Sequence, residues 1–269
     1  MYKMIAIDID DTLLDDELRI SEGTRQALAD AIARGVKVTL ATGRMFASAK
    51  NVAKQLELNV PIITYQGSYV KNLVDEQIIY ERSVPGDAVA KMYDYCENRG
   101  LHLQIYYDDR LYAAEDNDKM KDYAAMSAIP YYIEPNLRAF IDKPLTKLLV
   151  IDEPGYLDQV AEELRGLLGD EVHITKSKAH YLEVLHKEGT KGHAVEFLAR
   201  HWGCELSEVI AIGDSWNDRE MLETAGLGVA MANAVESLKG IADFVTLSNN
   251  DEGVKHVVDK FVLQAQEAK

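Results

Sequence analysis

Cysteine is nearly absent, with two in 269 residues. Two thiols cannot staple a small fold, so a packed core must hold the chain, and a reducing, cytoplasmic location is expected. Six prolines and 17 glycines are too few for collagen or low-complexity sequence. No apolar run approaches the ~20 residues that span a bilayer. Met1–Ile7 runs into Asp8 after a few apolar residues, so no signal peptide and no membrane association are expected. Basic residues are also short: 29 Lys and Arg against 45 Asp and Glu leave a net charge of −16. With no basic cluster, nucleic acid is not an expected partner, and no obligate protein partner is evident. Any anionic ligand must be met by a local cation. What is present is an ordinary core: 47% hydrophobic and 28% charged residues match a soluble globular protein. The length suits two domains.

The first third alternates strand and helix patterns. Met4–Ile7 is a short apolar run ending in acid, as in a buried strand. Ser21 suits the cap of a helix carrying Leu28 and Ile32, with Gly35 past its end. Val36–Leu40 reads as a second strand, Phe46–Leu56 as a helix, and Ile62–Tyr65 as a third strand after Pro61. That order implies a parallel sheet with helices on its faces. The middle differs. Two strands flank Asp75-Glu76, and a helix over 87–99 ends at Gly100. Short strands near 102–107, 111–113, 146–151, 172–175 and 181–185 mix with helices near 119–126 and 157–168. Tyrosines from Tyr93 to Tyr132 crowd this stretch, either packing its core or lining a pocket. From Gly189 the first pattern returns, with a helix over 193–201, a strand over 209–212, a helix after Asp218 and short strands at 227–230 and 244–246. The expected fold is α/β: a doubly wound, Rossmann-like parallel sheet from residues 1–83 and 188–269, interrupted by an α+β domain at 84–187.

In open parallel sheets, ligands bind beyond the carboxyl ends of the strands. The first strand delivers Asp8-Ile9-Asp10-Asp11-Thr12 there. Residues two apart on extended chain face one side, so Asp8 and Asp10 can share a site unless the chain bends after Asp8. Alone, the pair also reads as solvated acids at a strand end. The second strand delivers Thr42-Gly43-Arg44 at a strand-to-helix junction, where a hydroxyl and free N–H groups suit an anion; a capping Thr and a turn Gly are the plainer reading. The strand at 209–212 delivers Gly213-Asp214-Ser215-Trp216-Asn217-Asp218, in which Asp218 can also simply cap the next helix. Lys191, between Thr190 and Gly192, opens a helix. Together these ends supply hard oxygen ligands for Mg2+ from Asp8 and Asp214, and Thr42, Gly43 and Lys191 for a phosphoryl group.

These four motifs, in this order, resemble the haloacid dehalogenase-like superfamily of phosphohydrolases, and the insertion resembles the large α/β cap of its Cof-type sugar-phosphatase group. The resemblance covers essentially the whole chain. It implies that Asp8 is the nucleophile, forming an aspartyl phosphate. Asp10 would be the general acid and base. Mg2+ would be held by Asp8, Asp214 and the backbone carbonyl of Asp10. The amides of Ile9 and Gly43, the Thr42 hydroxyl, Lys191 and Asn217 would bind the phosphoryl group, with Asp218 behind them orienting Lys191 or a metal-bound water. The implied substrate is a small phosphorylated metabolite, a sugar phosphate foremost. A phosphotransferase or mutase on the same scaffold, or a non-catalytic phosphometabolite sensor, are the alternatives. One position departs from the family: Gly is usual where this chain has Asp11. Asp tolerates left-handed backbone better than most residues, so the loop is expected to persist with Asp11 turned away. Trp216 is expected either to touch the cap or to fill local space. His193 is expected to lie on a helix face without a catalytic duty, and Cys96 and Cys204 to be ordinary thiols.

Overall fold

A computed structural model describes residues 1–127 and 129–264. In chain order the elements begin with β1 (Met4–Ile7), α1 (Glu22–Ala33), β2 (Lys37–Leu40), α2 (Phe46–Gln55), β3 (Ile62–Thr64), β4 (Tyr69–Lys71) and β5 (Ile78–Glu81). They continue with α3 (Gly86–Arg99), β6 (Leu103–Tyr107), β7 (Arg110–Ala113), α4 (Asp118–Ser127), β8 (Tyr131–Ile133), β9 (Lys147–Ile151), α5 (Pro154–Leu168), β10 (Val172–Lys178) and β11 (Tyr181–His186). The last are α6 (Lys191–His201), β12 (Val209–Gly213), α7 (Arg219–Thr224), β13 (Leu227–Ala230), α8 (Glu236–Lys239), β14 (Phe244–Val245) and α9 (Gly253–Val258). No described helix is long and apolar enough to cross a membrane.

Both chain ends build one parallel sheet in the order β14-β13-β12-β1-β2. β1 lies between β12 and β2 and is covered on both faces, which is why its sequence is apolar without alternation. Its hydrophobic core draws on residues from both halves of the chain, such as Leu28, Val52, Val195 and Val257. Helix α1 starts at Ser21, whose hydroxyl accepts the Thr24 N–H, as its sequence implies.

The middle of the chain forms a second, six-stranded sheet, β10-β11-β9-β6-β7-β8, antiparallel except where β7 meets β8. It has its own core, with Val89, Met92, Ile105, Leu148 and Leu164 among its members. Tyr93, Tyr95 and Tyr106 are buried in packing roles, while Tyr123 and Tyr181 reach a cavity.

The third strand differs from its expected place. β3 touches the parallel sheet through one bridge, Ala41 to Ile63, and its ladder is antiparallel to β4 in a separate sheet β3-β4-β5. The reason is local. Tyr65, Gln66 and Gly67 all have positive φ (50°, 61° and 108°), which turns the chain straight back. A side chain at Gly67 would collide with the Thr190 carbonyl, so this reversal is packed directly against the start of α6.

Candidate active site

Parallel pairing in register decides where the motifs end up. Ile7 lies opposite Ile212 on one side and Leu40 on the other, so the residues that follow emerge together at one edge of the sheet. Asp8, Asp10, Asp11, Gly43, Arg44, Asp214, Ser215 and Asn217 all line one cavity of about 110 Å³.

Behind the cavity-lining Asp8, Lys191 Nζ donates to Asp8 Oδ1 at 2.5 Å and to Asp218 Oδ1 at 2.6 Å. Lys191 and Asp218 are 0% exposed and Asp8 is 6% exposed. Carboxylate oxygens of Asp8, Asp214 and Asp218 lie within 4.8 Å of one another. Three buried acids around one ammonium leave surplus negative charge. Burial is the largest influence on the Asp8 carboxyl and raises its pKa well above the ordinary range; Lys191 pulls it down, and Asp218 and Asp214 push it up. Burial and then Asp218 raise Asp214 from 3.8 to about 7, against the Thr12 hydroxyl, which donates to it at 2.8 Å. Lys191 is held well above its ordinary value, because Asp218 and Asp8 outweigh the cost of burial.

Asp218 sits at the N-cap of α7 but its side chain makes no cap bond to that helix. Its second oxygen instead accepts the N–H groups of Asp214 and Ser215 at 2.9 and 3.0 Å, so it ties this loop to Lys191. Asp10 points to a different partner from the acid cluster: Arg44 grips it with two hydrogen bonds, at 2.9 and 2.7 Å. Burial raises the Asp10 carboxyl, but Arg44, aided by Lys178 and Lys191, brings it below its ordinary value. Thr42 is fully buried and its hydroxyl accepts the Arg44 N–H at 3.1 Å; α2 begins only at Phe46, so Thr42 and Gly43 precede the helix rather than capping it. The Ile9 side chain packs in the core, leaving only its backbone at the strand end. Asn217 lines the cavity and donates to the Gln66 Oε1 at 2.8 Å. Asp11 adopts φ 58° and is exposed, the left-handed conformation expected where Gly is usual. Trp216 is 43% exposed beside a second cavity shared with β10 and α5. His193 meets the Thr190 hydroxyl, and both cysteines are free.

Sequence reading missed the residues that arrive from the second sheet. Lys147 and Glu183, 1% and 2% exposed, pair at 3.0 Å and line the same cavity. Lys147 also donates to the Gly43 carbonyl at 3.1 Å. Ser177 donates to Glu183, and Gln66 donates to it as well. The available signal was a single charge inside an otherwise apolar strand, as in Lys147-Leu148-Leu149-Val150 and Tyr181-Leu182-Glu183-Val184-Leu185.

The donor set fits a hard divalent cation such as Mg2+. The clustered acids offer only oxygen, and the upward shifts of Asp8 and Asp214 mark a place short of positive charge. An acid whose folded pKa exceeds its unfolded value binds extra protons when folded. Without a cation, then, the Asp214 contribution to stability falls as pH rises from about 4 to about 7. A cation takes the proton's place only above that window. Mg2+ at a hundred times its Kd is therefore expected to raise the Tm by roughly 5–10 °C at pH 8, and by much less at pH 5.5. Thermal melts with Mg2+ titrated at both pH values check this; an equal shift at both would contradict it.

Residues 5–258 match the family pattern of haloacid dehalogenase-like hydrolases. A solved structure from Thermotoga maritima is 38% identical, with a TM-score of 0.83, and the match covers 97% of this chain and 98% of that one. A Bacillus subtilis protein named 5-amino-6-(5-phospho-D-ribitylamino)uracil phosphatase is 31% identical over 285 residues, covering 97% of this chain and 98% of the relative. The structure of a sugar phosphatase of subclass IIB superposes with a TM-score of 0.85 at 26% identity, covering 96% of this chain and 98% of that chain.

Proposed function

This chain belongs to the haloacid dehalogenase-like hydrolases, in their Cof-type group, and is a phosphatase; we propose that it hydrolyses small sugar phosphates with Mg2+ through an aspartyl phosphate on Asp8. The observation that carries this reading is the meeting of Asp8, Asp214 and Lys191 at one sheet edge, where Asp8 and Asp214 face a cavity walled by the second sheet and Lys191 backs Asp8. Residues 84–187 are assigned as the cap over that cavity. Its walls include Tyr123, Lys147, Ser177, Lys178 and Tyr181, which offer donors to a hydroxyl-bearing leaving group. The names of the Bacillus relative and the subclass IIB structure, both concerned with phosphorylated polyol or sugar compounds, support the same class.

In this mechanism the Asp8 oxygen not held by Lys191 attacks phosphorus, and the bond to the leaving oxygen breaks. Asp10 protonates that oxygen, then takes a proton from the water that hydrolyses the aspartyl phosphate. As held by Arg44, Asp10 is ionised, the form needed for the second step; to act as the acid in the first step it must leave Arg44 and take up a proton from solvent, which the second step restores to it. Lys191 has three N–H donors, of which two go to Asp8 and Asp218, and the third serves a phosphoryl oxygen. The Thr42 hydroxyl, the Ile9 and Gly43 amides and Asn217 complete the cradle. Mg2+, held by Asp8, Asp214 and the Asp10 carbonyl, would supply the positive charge that lets an anionic nucleophile meet an anionic phosphate, a repulsion of ~4 kcal/mol at 4 Å and effective dielectric 20.

The test is phosphate release from a panel of sugar, nucleotide and cofactor phosphates, with Mg2+ and with chelator. Sugar phosphates are expected to lead, and chelation to lower release at least about 100-fold. Folded protein active on none of them, or equally active after chelation, would sink the reading.

A further inference from the structure

Gln66 stands between the two sheets. Its amide nitrogen donates to Glu183 on β11, and its amide oxygen accepts from Asn217 at 2.8 Å. All three side chains are buried. The backbone that places it is held at both ends of the Thr42–Arg44 motif: the Tyr65 N–H donates to the Arg44 carbonyl and the Gln66 N–H to the Thr42 carbonyl, each at 3.0 Å. Tyr65 and Gln66 take left-handed φ values there, a cost that sites retain when geometry requires it. Gly43 is part of the same fit, since a side chain at 43 would collide with the Gln66 amide.

The orientation of these amides is forced. A carboxylate can only accept, so the end of Gln66 facing Glu183 must be its nitrogen. Its oxygen then faces Asn217, which must present nitrogen in turn. Glu183 itself is anchored by Lys147 and Ser177 at 3.0 and 2.9 Å. One N–H of Asn217 goes to Gln66, leaving the other for a ligand. The Asn217 Oδ1 is buried and, among the described residues, has no hydrogen-bond partner, so no second bond on that side fixes the amide.

We propose that Gln66 is a positioning residue in a relay from Glu183 through Gln66 to Asn217, by which the seated cap turns the Asn217 amide nitrogen toward the phosphoryl group. This rests on the reading of Asn217 as a phosphate donor. The relay couples closure to phosphate binding: with the cap displaced, Gln66 loses its carboxylate and both amides are free to rotate.

The probe is inorganic phosphate with Mg2+ present, its affinity measured by calorimetry and as a competitive inhibitor. Asn217→Ala is expected to weaken phosphate about tenfold, and Gln66→Met, which keeps the length but lacks the amide, about as much. The double variant is expected to be no worse than Asn217→Ala alone, a non-additivity that general loosening of the fold would not give. Gln66→Asn, an amide one methylene too short to reach both partners, serves if the Met variant does not fold, with the same expected loss. Effects that multiply, or a Gln66 variant that binds phosphate like the wild type, overturn the relay while the phosphatase reading stands. Unchanged phosphate affinity in Asn217→Ala removes Asn217 from the phosphate site and the relay with it. Failure of the wild type to release phosphate from any substrate is the separate result that would fail the phosphatase reading.

Discussion

Asp8→Asn is expected to lower phosphate release by at least about a thousandfold while leaving the protein as stable as before or more so. The two halves of that expectation have different causes. Asn matches Asp in shape but is neutral, and an amide oxygen does not take up a phosphoryl group as a carboxylate does. Activity therefore falls with the nucleophile. Stability does not, because Asp8 is one of three buried acids grouped around a single Lys191. Removing one relieves repulsion with Asp214 and Asp218. Rapid acid quench during turnover should trap phosphorylated wild type and none of the variant. A variant retaining activity within tenfold would end the assignment of Asp8. A variant that is inactive only because it unfolds would show that the charge balance described here is wrong.

Lys191→Ala should lose both activity and stability, the opposite pattern. Lys191 is 0% exposed and bonded to two buried carboxylates. Removing one partner of such a pair costs about 3–5 kcal/mol, because the remaining charges are buried without compensation. At 2–4 °C per kcal/mol, the Tm is expected to fall by roughly 10 °C. Phosphate release should fall by at least about 100-fold, since the third Lys191 donor is lost with the charge. The pH response gives the sign. Without the ammonium, the Asp8 carboxyl, which Lys191 now pulls down, shifts further upward and binds a proton more readily when folded. The variant should then regain part of its Tm on acidification to pH 5, and also on adding Mg2+ at pH 8, because either supplies the missing positive charge. Melts in both conditions check this; a deficit independent of pH and Mg2+ would mean that Lys191 matters for packing alone.

The readable part of the site follows from chain neighbours. Asp8, Thr42 and Asp214 were legible because each lies just past an apolar run, and a strand end is a local property of sequence. The left-handed Asp11 was legible for the same reason, since the preference belongs to the residue itself. From the residues alone Asp218 was legible as an acid in the right place but open between capping and another duty; the resemblance added the contact with Lys191 that the structure has. Capping and clamping use the same side chain, and the choice depended on Lys191, which is 27 residues away. The path of β3 was misread because three consecutive positive φ values at Tyr65, Gln66 and Gly67 have only one glycine to announce them.

What the amino-acid order settles, then, is which strands end in acid, hydroxyl or ammonium groups, because those patterns depend on residues a few positions apart. Only packing of the two sheets decides that the Lys147–Glu183 pair reaches Gly43 through Lys147 and that Gln66 joins Glu183 across 117 positions, and only the fold brings Arg44 onto the Asp10 carboxylate. Charges and amides of this kind tolerate many partners on an extended chain. Burial removes water as a competitor, so each must take the partner that the fold places within reach, and that partner is chosen by distance in space.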